Sequence, residues 1–90
     1  MTKSKLTLLI SGGGSTRINI LRALKNSDYG LLNINQISNR IGMQWGTVKY
    51  EIELLKREGL IEEVESDFKR IKFYRLTEDG EELFNKTRTS

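Results

Sequence analysis

The sequence predicts an α+β domain that is mainly helical, with a three-helix core, a β-hairpin and a C-terminal helix. Apolar residues recur at helical spacing between residues 15 and 58, follow a strand-like pattern between 61 and 76, and are followed by one more helical segment. Ninety residues are enough for one domain. A chain of this length buries only a modest fraction of its surface, which favours association with a second subunit.

The first helix is predicted over residues 15–26. Its apolar stripe consists of Ile18, Leu21 and Leu24. Ser15 or Thr16 is the expected N-cap, because a side-chain oxygen at that position can accept a backbone N–H of the first turn. The turn cluster NSDYG, residues 26–30, ends the helix.

The second helix follows a short apolar segment, residues 31–34, that can form one brief strand. Asn35 is expected to begin the helix, and Ile34 precedes it as the first residue of a hydrophobic staple does. Ile37 and Ile41 lie on one face. Gly42 ends the helix, since glycine readily adopts the positive φ of a sharp exit.

The third helix is predicted from Gln44 to Glu58, with Gly59 just beyond its end. Its core stripe consists of Val48, Ile52 and Leu55. The second and third helices are thus joined by a turn of about three residues that contains a glycine. This spacing indicates a helix-turn-helix.

A β-hairpin is predicted next, with strands over residues 61–65 and 71–76 and a connection at 66–70. Thr77 is the expected N-cap of the last helix, and acidic residues occupy its first turn, where the helix dipole favours them. Leu83 and Phe84 are the apolar residues of this helix.

The composition excludes several classes of catalytic and metal-binding site. The sequence has no Cys and no His, which excludes disulfides, thiol nucleophiles, Ser-His-Asp catalysis and ordinary zinc sites. We therefore expect no enzyme activity, no cofactor and no metal, and the lack of cysteine fits a reducing, cytoplasmic compartment. No apolar run approaches the roughly 20 residues that cross a bilayer, so no membrane partner is expected.

The segment LTLLISGGGSTR, residues 6–17, resembles a phosphate-binding loop but lacks its essential features. A P-loop requires a lysine before the Ser/Thr, and Gly14 stands there instead. A dinucleotide fingerprint requires a third glycine where this sequence has Arg17. We interpret Gly12–Gly14 as a hinge before the first helix. The helix N-terminus beside Arg17 can still hold an anion, so a contact from this loop to a DNA phosphate stays open.

Charge is distributed unevenly along the chain, whose net charge is +3. Residues 1–40 carry a net charge of +5, residues 41–65 of −3, and residues 66–90 of +1. This mild basic excess fits a polyanionic partner without requiring one.

The predicted order of elements is that of a winged helix-turn-helix. The segments STRINILRAL, INQISNRIGMQWGTVKYEIELLKREGLIE and FYRLTEDGEEL resemble successive blocks of the ArsR/MarR-type winged helix-turn-helix transcription regulators, especially small archaeal ones. The resemblance covers residues 15–84 and implies a DNA-binding regulator. The metal sensing of ArsR-type members does not extend to this chain, because their Cys and His ligands are missing.

In such a fold the third helix enters the major groove of double-stranded DNA, and its N-terminal residues reach the base edges. The candidates that the core stripe does not require are Gln44, Trp45, Gly46, Thr47, Lys49 and Tyr50. Gln44 can pair with adenine, and Lys49 can reach guanine or a phosphate. Phosphate contacts are expected from Arg40 and from the hairpin residues Lys69, Arg70 and Lys72.

Several of these residues have simpler interpretations. Trp45 could cap the small core, Tyr50 could be an ordinary exposed residue, and the basic hairpin tip could be merely solvated. Glu51 would repel a phosphate, so it either turns toward the protein or reads a cytosine amino group. The third helix has no net charge, which leaves open a second function as a protein-interaction module of the transcription machinery.

A homodimer is expected, because two copies double the phosphate contacts and read a pseudo-palindrome. Two apolar segments that the three-helix core does not obviously need are the candidate interface: Leu6, Leu8, Leu9, Ile10, Leu83 and Phe84. For residues 6–10, burial within their own subunit is the competing explanation. The sequence does not distinguish strand from helix for residues 6–10.

Overall fold

The computed structural model describes residues 14–67 and 70–88. The helices in these ranges are α1 (Gly14–Lys25), α2 (Ile34–Ile41), α3 (Trp45–Arg57) and α4 (Glu78–Arg88), and the strands are β1 (Leu32–Asn33), β2 (Ile61–Glu65) and β3 (Lys72–Leu76). The predicted α+β, mainly helical class and the predicted order of elements are confirmed. No helix in the described ranges is long and apolar enough to span a membrane.

Helix α1 differs from its prediction at the N-terminal end. Gly14 is already helical and buried, so it is part of α1 and not of a hinge. Ser15 and Thr16 therefore lie inside the first turn, and their assignment as N-cap is wrong. Residues 12 and 13 lie outside the described ranges.

Helix α2 begins earlier than predicted, because Asn33 is its N-cap. The Asn33 side chain accepts the Gln36 backbone N–H at 2.8 Å, and the Asn33 backbone N–H donates to the Gln36 side chain at 2.9 Å. This capping box satisfies two backbone donors and replaces the start that we assigned to Asn35. Gly42 ends the helix in the left-handed conformation, with φ of 69°, as predicted.

The core collects one apolar face from every helix. Val48, Ile52 and Leu55 of α3 are completely buried, which confirms the predicted stripe. The other buried apolar residues are Ile20, Leu21, Ala23, Leu24, Leu32, Ile37, Leu60, Ile61, Tyr74, Leu83 and Phe84. Leu83 and Phe84 are 8% and 2% exposed and belong to the core of their own chain. The exposed apolar surface that we expected them to offer to a second subunit is therefore absent.

The sheet has the strand order β1-β3-β2 and is antiparallel throughout. Leu32 of the brief strand pairs with Tyr74, which in turn pairs with Glu63 on the other side. Strand β2 has its predicted bounds, whereas β3 begins one residue later than predicted, at Lys72.

The end of α3, the start of β2 and the start of α4 meet at Leu60. Gly59 adopts φ of 77°, and the Leu60 backbone N–H then bonds to the Leu55 carbonyl at 3.0 Å. The Thr77 hydroxyl donates to the Gly59 carbonyl at 2.6 Å and accepts the Gly80 backbone N–H at 3.0 Å. Thr77 is thus the N-cap of α4, as predicted, and it also fastens α4 to the end of α3.

Gly80 allows α4 to approach the Leu60 backbone. A Cβ on Gly80 would overlap the Leu60 carbonyl oxygen and lie 2.9 Å from the carbonyl carbon. We expect Gly80→Ala to lower the free energy of unfolding by about 2 kcal/mol or more, because backbone must move to relieve the overlap. Urea unfolding followed by circular dichroism measures this loss.

Gly46→Ala is the matched control. Gly46 lies in the first turn of α3, and nothing comes within 4 Å of a Cβ there. Alanine favours helix over glycine by up to about 1 kcal/mol, so this variant should be as stable as the wild type or more stable. Equal losses in the two variants would contradict the assigned contact at Leu60.

Candidate nucleic-acid interface

The N-terminal half of α3 presents a continuous exposed surface. Val48 alone of its residues 44–50 is buried, and it anchors the helix to the core. The predicted base-reading residues that are exposed are Gln44, Trp45, Gly46, Thr47, Lys49 and Tyr50. Trp45 is 49% exposed, so it does not cap the core, and Tyr50 is 67% exposed.

A tight turn fixes the start of this surface. The backbone N–H groups of Gly42 and Met43 both bond to the Ser38 carbonyl, at 2.9 and 3.2 Å. The Ser38 hydroxyl donates in the other direction, to the Met43 carbonyl. Gln44 then precedes α3 in extended conformation, and its side chain forms no capping hydrogen bond.

Helix α3 and the hairpin face each other across a groove of about 320 Å³. Trp45 and Lys49 line it from α3, and the Lys49 Nζ lies 5.6 Å from the centre of the Trp45 ring, within reach of a cation–π interaction. Arg70 and Lys72 line it from the hairpin. Three cations thus meet in one groove with two aromatic side chains, Trp45 and Tyr74.

The hairpin connection displays Arg70. The Ser66 backbone N–H bonds to the Ile71 carbonyl at 3.1 Å and closes the loop. Arg70 is exposed and has φ of 57°, the left-handed region that non-glycine residues seldom adopt. Lys69, the other predicted contact in this loop, lies outside the described residues.

Arg40 is exposed but lies apart from that groove. It belongs to the last turn of α2 and lines a separate depression of about 460 Å³ together with Arg22, Asn19 and Asn26 of the α1 side. The Arg22 guanidinium donates to the Asn19 side-chain oxygen at 2.7 Å. The structure therefore joins Trp45 to the hairpin cations and leaves Arg40 on another part of the surface.

Glu51 turns toward the protein, which decides between the two alternatives stated above. The Arg17 Nε donates to the Glu51 Oε1 at 2.6 Å, and both side chains are about nine-tenths buried. Arg17 is consequently buried and bound to Glu51. The sequence pattern missed this pair, because 34 residues separate its members. The glycine loop from which we expected a phosphate contact lies outside the described residues up to residue 13, and that contact stays a prediction.

Lys56, Glu63 and Lys72 form a network of charged side chains at the hairpin. Lys56 Nζ is 2.8 Å from one Glu63 oxygen, and Lys72 Nζ is 3.7 Å from the other. The hydrogen bond from Lys56 lowers the pKa of Glu63, and the same bond raises the pKa of Lys56. Burial raises the pKa of the neighbouring Tyr74 hydroxyl. Lys72 therefore has a carboxylate of its own chain close to the groove.

The capping box of α2 was the other missed feature, and its signal was present in the sequence. Asn33 and Gln36 are spaced as a capping box requires, with an apolar residue between them. In the part of the chain that the structure describes, no group of three or more His, Cys, Asp or Glu residues is placed to hold a metal ion.

No family model and no curated protein matches this sequence. Solved structures do match. AbsC, a MarR family transcriptional regulator from Streptomyces coelicolor, has 19% identity over 91% of this chain and 56% of its own, with a TM-score of 0.79. A MarR family regulator from Silicibacter pomeroyi has 21% identity over 92% and 55%, with a TM-score of 0.76. A mutant of MarR from E. coli, complexed with operator DNA, has 10% identity over 83% and 53%, with a TM-score of 0.75.

The chain has the winged-helix fold. At these identities the likeness establishes the fold, with β2, β3 and their connection as the wing. The chain spans somewhat more than half the length of each of the three matched proteins.

The lowered pKa of Glu63 predicts a pH dependence of stability. A carboxyl whose pKa is lowered by folding stabilises the folded state above its ordinary value of 4.5, and this contribution is lost as the pH falls through the lowered pKa. We expect Glu63→Gln to be less stable than wild type near pH 6, and the difference to shrink toward about pH 3. Urea unfolding at several pH values measures it.

Glu65→Gln is the control, since Glu65 is an exposed glutamate on the same strand. Its difference from wild type should vary less with pH. If the two variants show the same pH profile, the ion pair with Lys56 does not stabilise the fold.

Proposed function

We propose that the protein is a sequence-specific, double-stranded DNA-binding transcription regulator that acts as a homodimer. Helix α3 lies in the major groove, and the wing contacts the backbone or the minor groove. The observation that carries this proposal is the exposed N-terminal half of α3 beside three cations, Lys49, Arg70 and Lys72. The matched structure that contains operator DNA supports the same choice of partner.

Gln44 and the first two turns of α3 read the bases. Gln44 has a side chain that no cap engages, and it can bond both edge atoms of an adenine. Thr47 can contact a thymine methyl group, and Lys49 can reach guanine. Gly46 has no side chain and lets the helix backbone approach the groove wall closely. Trp45 and Tyr50 flank these residues and can pack on sugars or phosphates.

Phosphate contacts come mainly from the wing. Arg70 and Lys72 line the groove beside α3, and Lys69 follows from its place in the same loop. Arg40 is exposed at the end of α2 and can contact the backbone at the edge of the interface. These contacts position the protein on the duplex, while the base contacts select the sequence.

Dimerisation supplies a second copy of every contact and a half-site spacing of about one helical turn. With Leu83 and Phe84 in the core of their own chain, the proposed dimer surface is the apolar segment with Leu6, Leu8, Leu9 and Ile10, which lies outside the described residues. No catalysis, cofactor or metal enters this function.

The second candidate function is a winged-helix module that binds another protein of the transcription machinery. The exposure of two large aromatic side chains, Trp45 and Tyr50, favours it, because aromatic residues are enriched at protein interfaces. Such a module does not require the hairpin cations to contact phosphates.

The salt dependence of binding to random duplex DNA separates the two functions. Each neutralised phosphate contributes about −0.9 to the slope of log K against log salt concentration. With several phosphates neutralised by a dimer, we expect a slope steeper than about −4. Fluorescence anisotropy with a labelled duplex measures it, and weak binding that hardly changes with salt would favour the protein-binding module.

Two single variants separate phosphate contacts from base readout. Arg70→Ala should weaken binding to all sequences alike and make the salt slope shallower by about 1 per subunit. Gln44→Ala should change the preferred sequence, with a cost of about 1–3 kcal/mol at the site selected by the wild type. Selection from a random DNA pool followed by binding curves measures both effects.

Arg57→Ala is the matched control for charge, because Arg57 is exposed at the far end of α3. It removes the same charge as Arg70→Ala and should change affinity little. A Gln44→Ala protein that selects the wild-type sequence would show that the groove assignment of α3 is wrong.

A further inference from the structure

The buried ion pair between Arg17 and Glu51 joins two elements with different tasks. Arg17 lies in the first turns of α1, and Glu51 lies in the middle of α3. Their 2.6 Å contact is a charge-assisted hydrogen bond, the short and strong kind. Both side chains are about nine-tenths buried, at 10% and 9% exposure, so water screens the pair little.

Stability is a poor explanation for such a pair. Removing two charges from water is costly, and well-packed apolar residues in the same place often give equal or greater stability. What the pair adds is a fixed orientation of α3 relative to α1. Packing of Val48, Ile52 and Leu55 is non-directional and tolerates small rotations of α3, whereas a hydrogen bond between fixed atoms does not.

The position of Glu51 ties it to the residues that face DNA in the proposed function. Thr47 lies four residues before Glu51, so the two occupy neighbouring positions along one side of α3, and Gln44 directly precedes the first turn of the same helix. The outer end of a side chain lies about 5–6 Å from the helix axis, so a rotation of about 20° moves it by about 2 Å. That shift exceeds the distance tolerance of a hydrogen bond to a base edge.

The pair also determines whether the negative charge of Glu51 is exposed on α3. With Arg17 as its partner, the Glu51 carboxylate stays buried behind the exposed surface. Without Arg17, the carboxylate either remains buried at high cost or turns outward next to Tyr50 and Thr47. An outward carboxylate repels DNA phosphates, so loss of the arginine acts on the interface electrostatically as well as geometrically.

We propose that Arg17 is a positioning residue for DNA readout, which acts through Glu51 to set the rotation of α3 and to keep the carboxylate away from the DNA-facing surface. This inference rests on the proposed function. Arg17 itself contacts no base and no phosphate. Its effect is on the discrimination between sequences rather than on the attraction to DNA in general.

The test uses the full chain and the double variant Arg17→Met/Glu51→Leu, which removes both charges, keeps the net charge and leaves similar volumes. Two quantities are measured: the free energy of unfolding in urea, and the ratio of affinities for the wild-type selected site and for random duplex DNA. We expect stability equal to or above that of the wild type, a ratio lower by about tenfold or more, and random-DNA affinity within about threefold.

Arg17→Lys is the milder second variant and tests the same idea if the double variant does not fold. It keeps the charge but loses the planar, fixed geometry of the guanidinium, so the ratio should fall severalfold while random-DNA affinity is retained. Arg17→Met leaves the Glu51 carboxylate without its arginine and should weaken binding to all DNA sequences. Arg17→Met/Glu51→Gln should restore the affinity for random duplex DNA, because the glutamine amide is neutral.

The outcomes are distinct. If folded double-variant or Arg17→Lys protein keeps the wild-type affinity ratio, the pair does not position α3 and the inference is overturned. If the ratio falls only in proportion to lost stability, the role is structural and the inference is also overturned. If the wild type selects no sequence at all, the proposed function fails first, and the positioning role fails with it.

Discussion

The burial of Val48, Ile52 and Leu55 along one side of α3 is the constraint on which the rest of the structure depends. All three are completely excluded from water, and each contributes about 2 kcal/mol by leaving it. The helix contacts α1, α2 and β2, so its rotation is shared by every layer of the domain. Because the three residues point inward, the other residues from Trp45 to Tyr50 are left exposed. The exposed surface of α3 is thus a consequence of the core.

The junction at Leu60 extends this constraint to the wing. Strand β2 begins one residue after Leu60, and the Thr77 backbone N–H, just past the end of β3, bonds to the Leu60 carbonyl at 3.1 Å. Strand β2 therefore starts, and β3 ends, beside one buried residue at the end of α3. The segment RLTEDG has a physical explanation here: the threonine hydroxyl bonds twice across the junction, and Gly80 leaves room for the Leu60 carbonyl.

Local patterns predicted the helices, the wing, the glycines at 42 and 59 and the Thr77 cap, because periodicity and cap chemistry act within a few residues. The errors have different causes. The Asn33–Gln36 box was local and was overlooked, whereas the Arg17–Glu51 pair spans 34 residues and leaves no trace in a local pattern. For Leu83 and Phe84, periodicity identified an apolar face but could not tell their own core from a partner subunit.

The net charge counted along a segment of the sequence is a poor guide to the charge exposed at the candidate interface. Residues 44–58 have no net charge, yet Glu51 is buried with Arg17, and Glu53 lies 3.7 Å from Lys56. Lys49 is the one charged residue of residues 44–50, and it meets Arg70 and Lys72 across the groove. Glu63, 3.7 Å from Lys72, partly offsets this positive field. In the proposed function, a surface with few cations attracts random DNA weakly, so discrimination between sequences depends on how accurately Gln44, Thr47 and Lys49 are held.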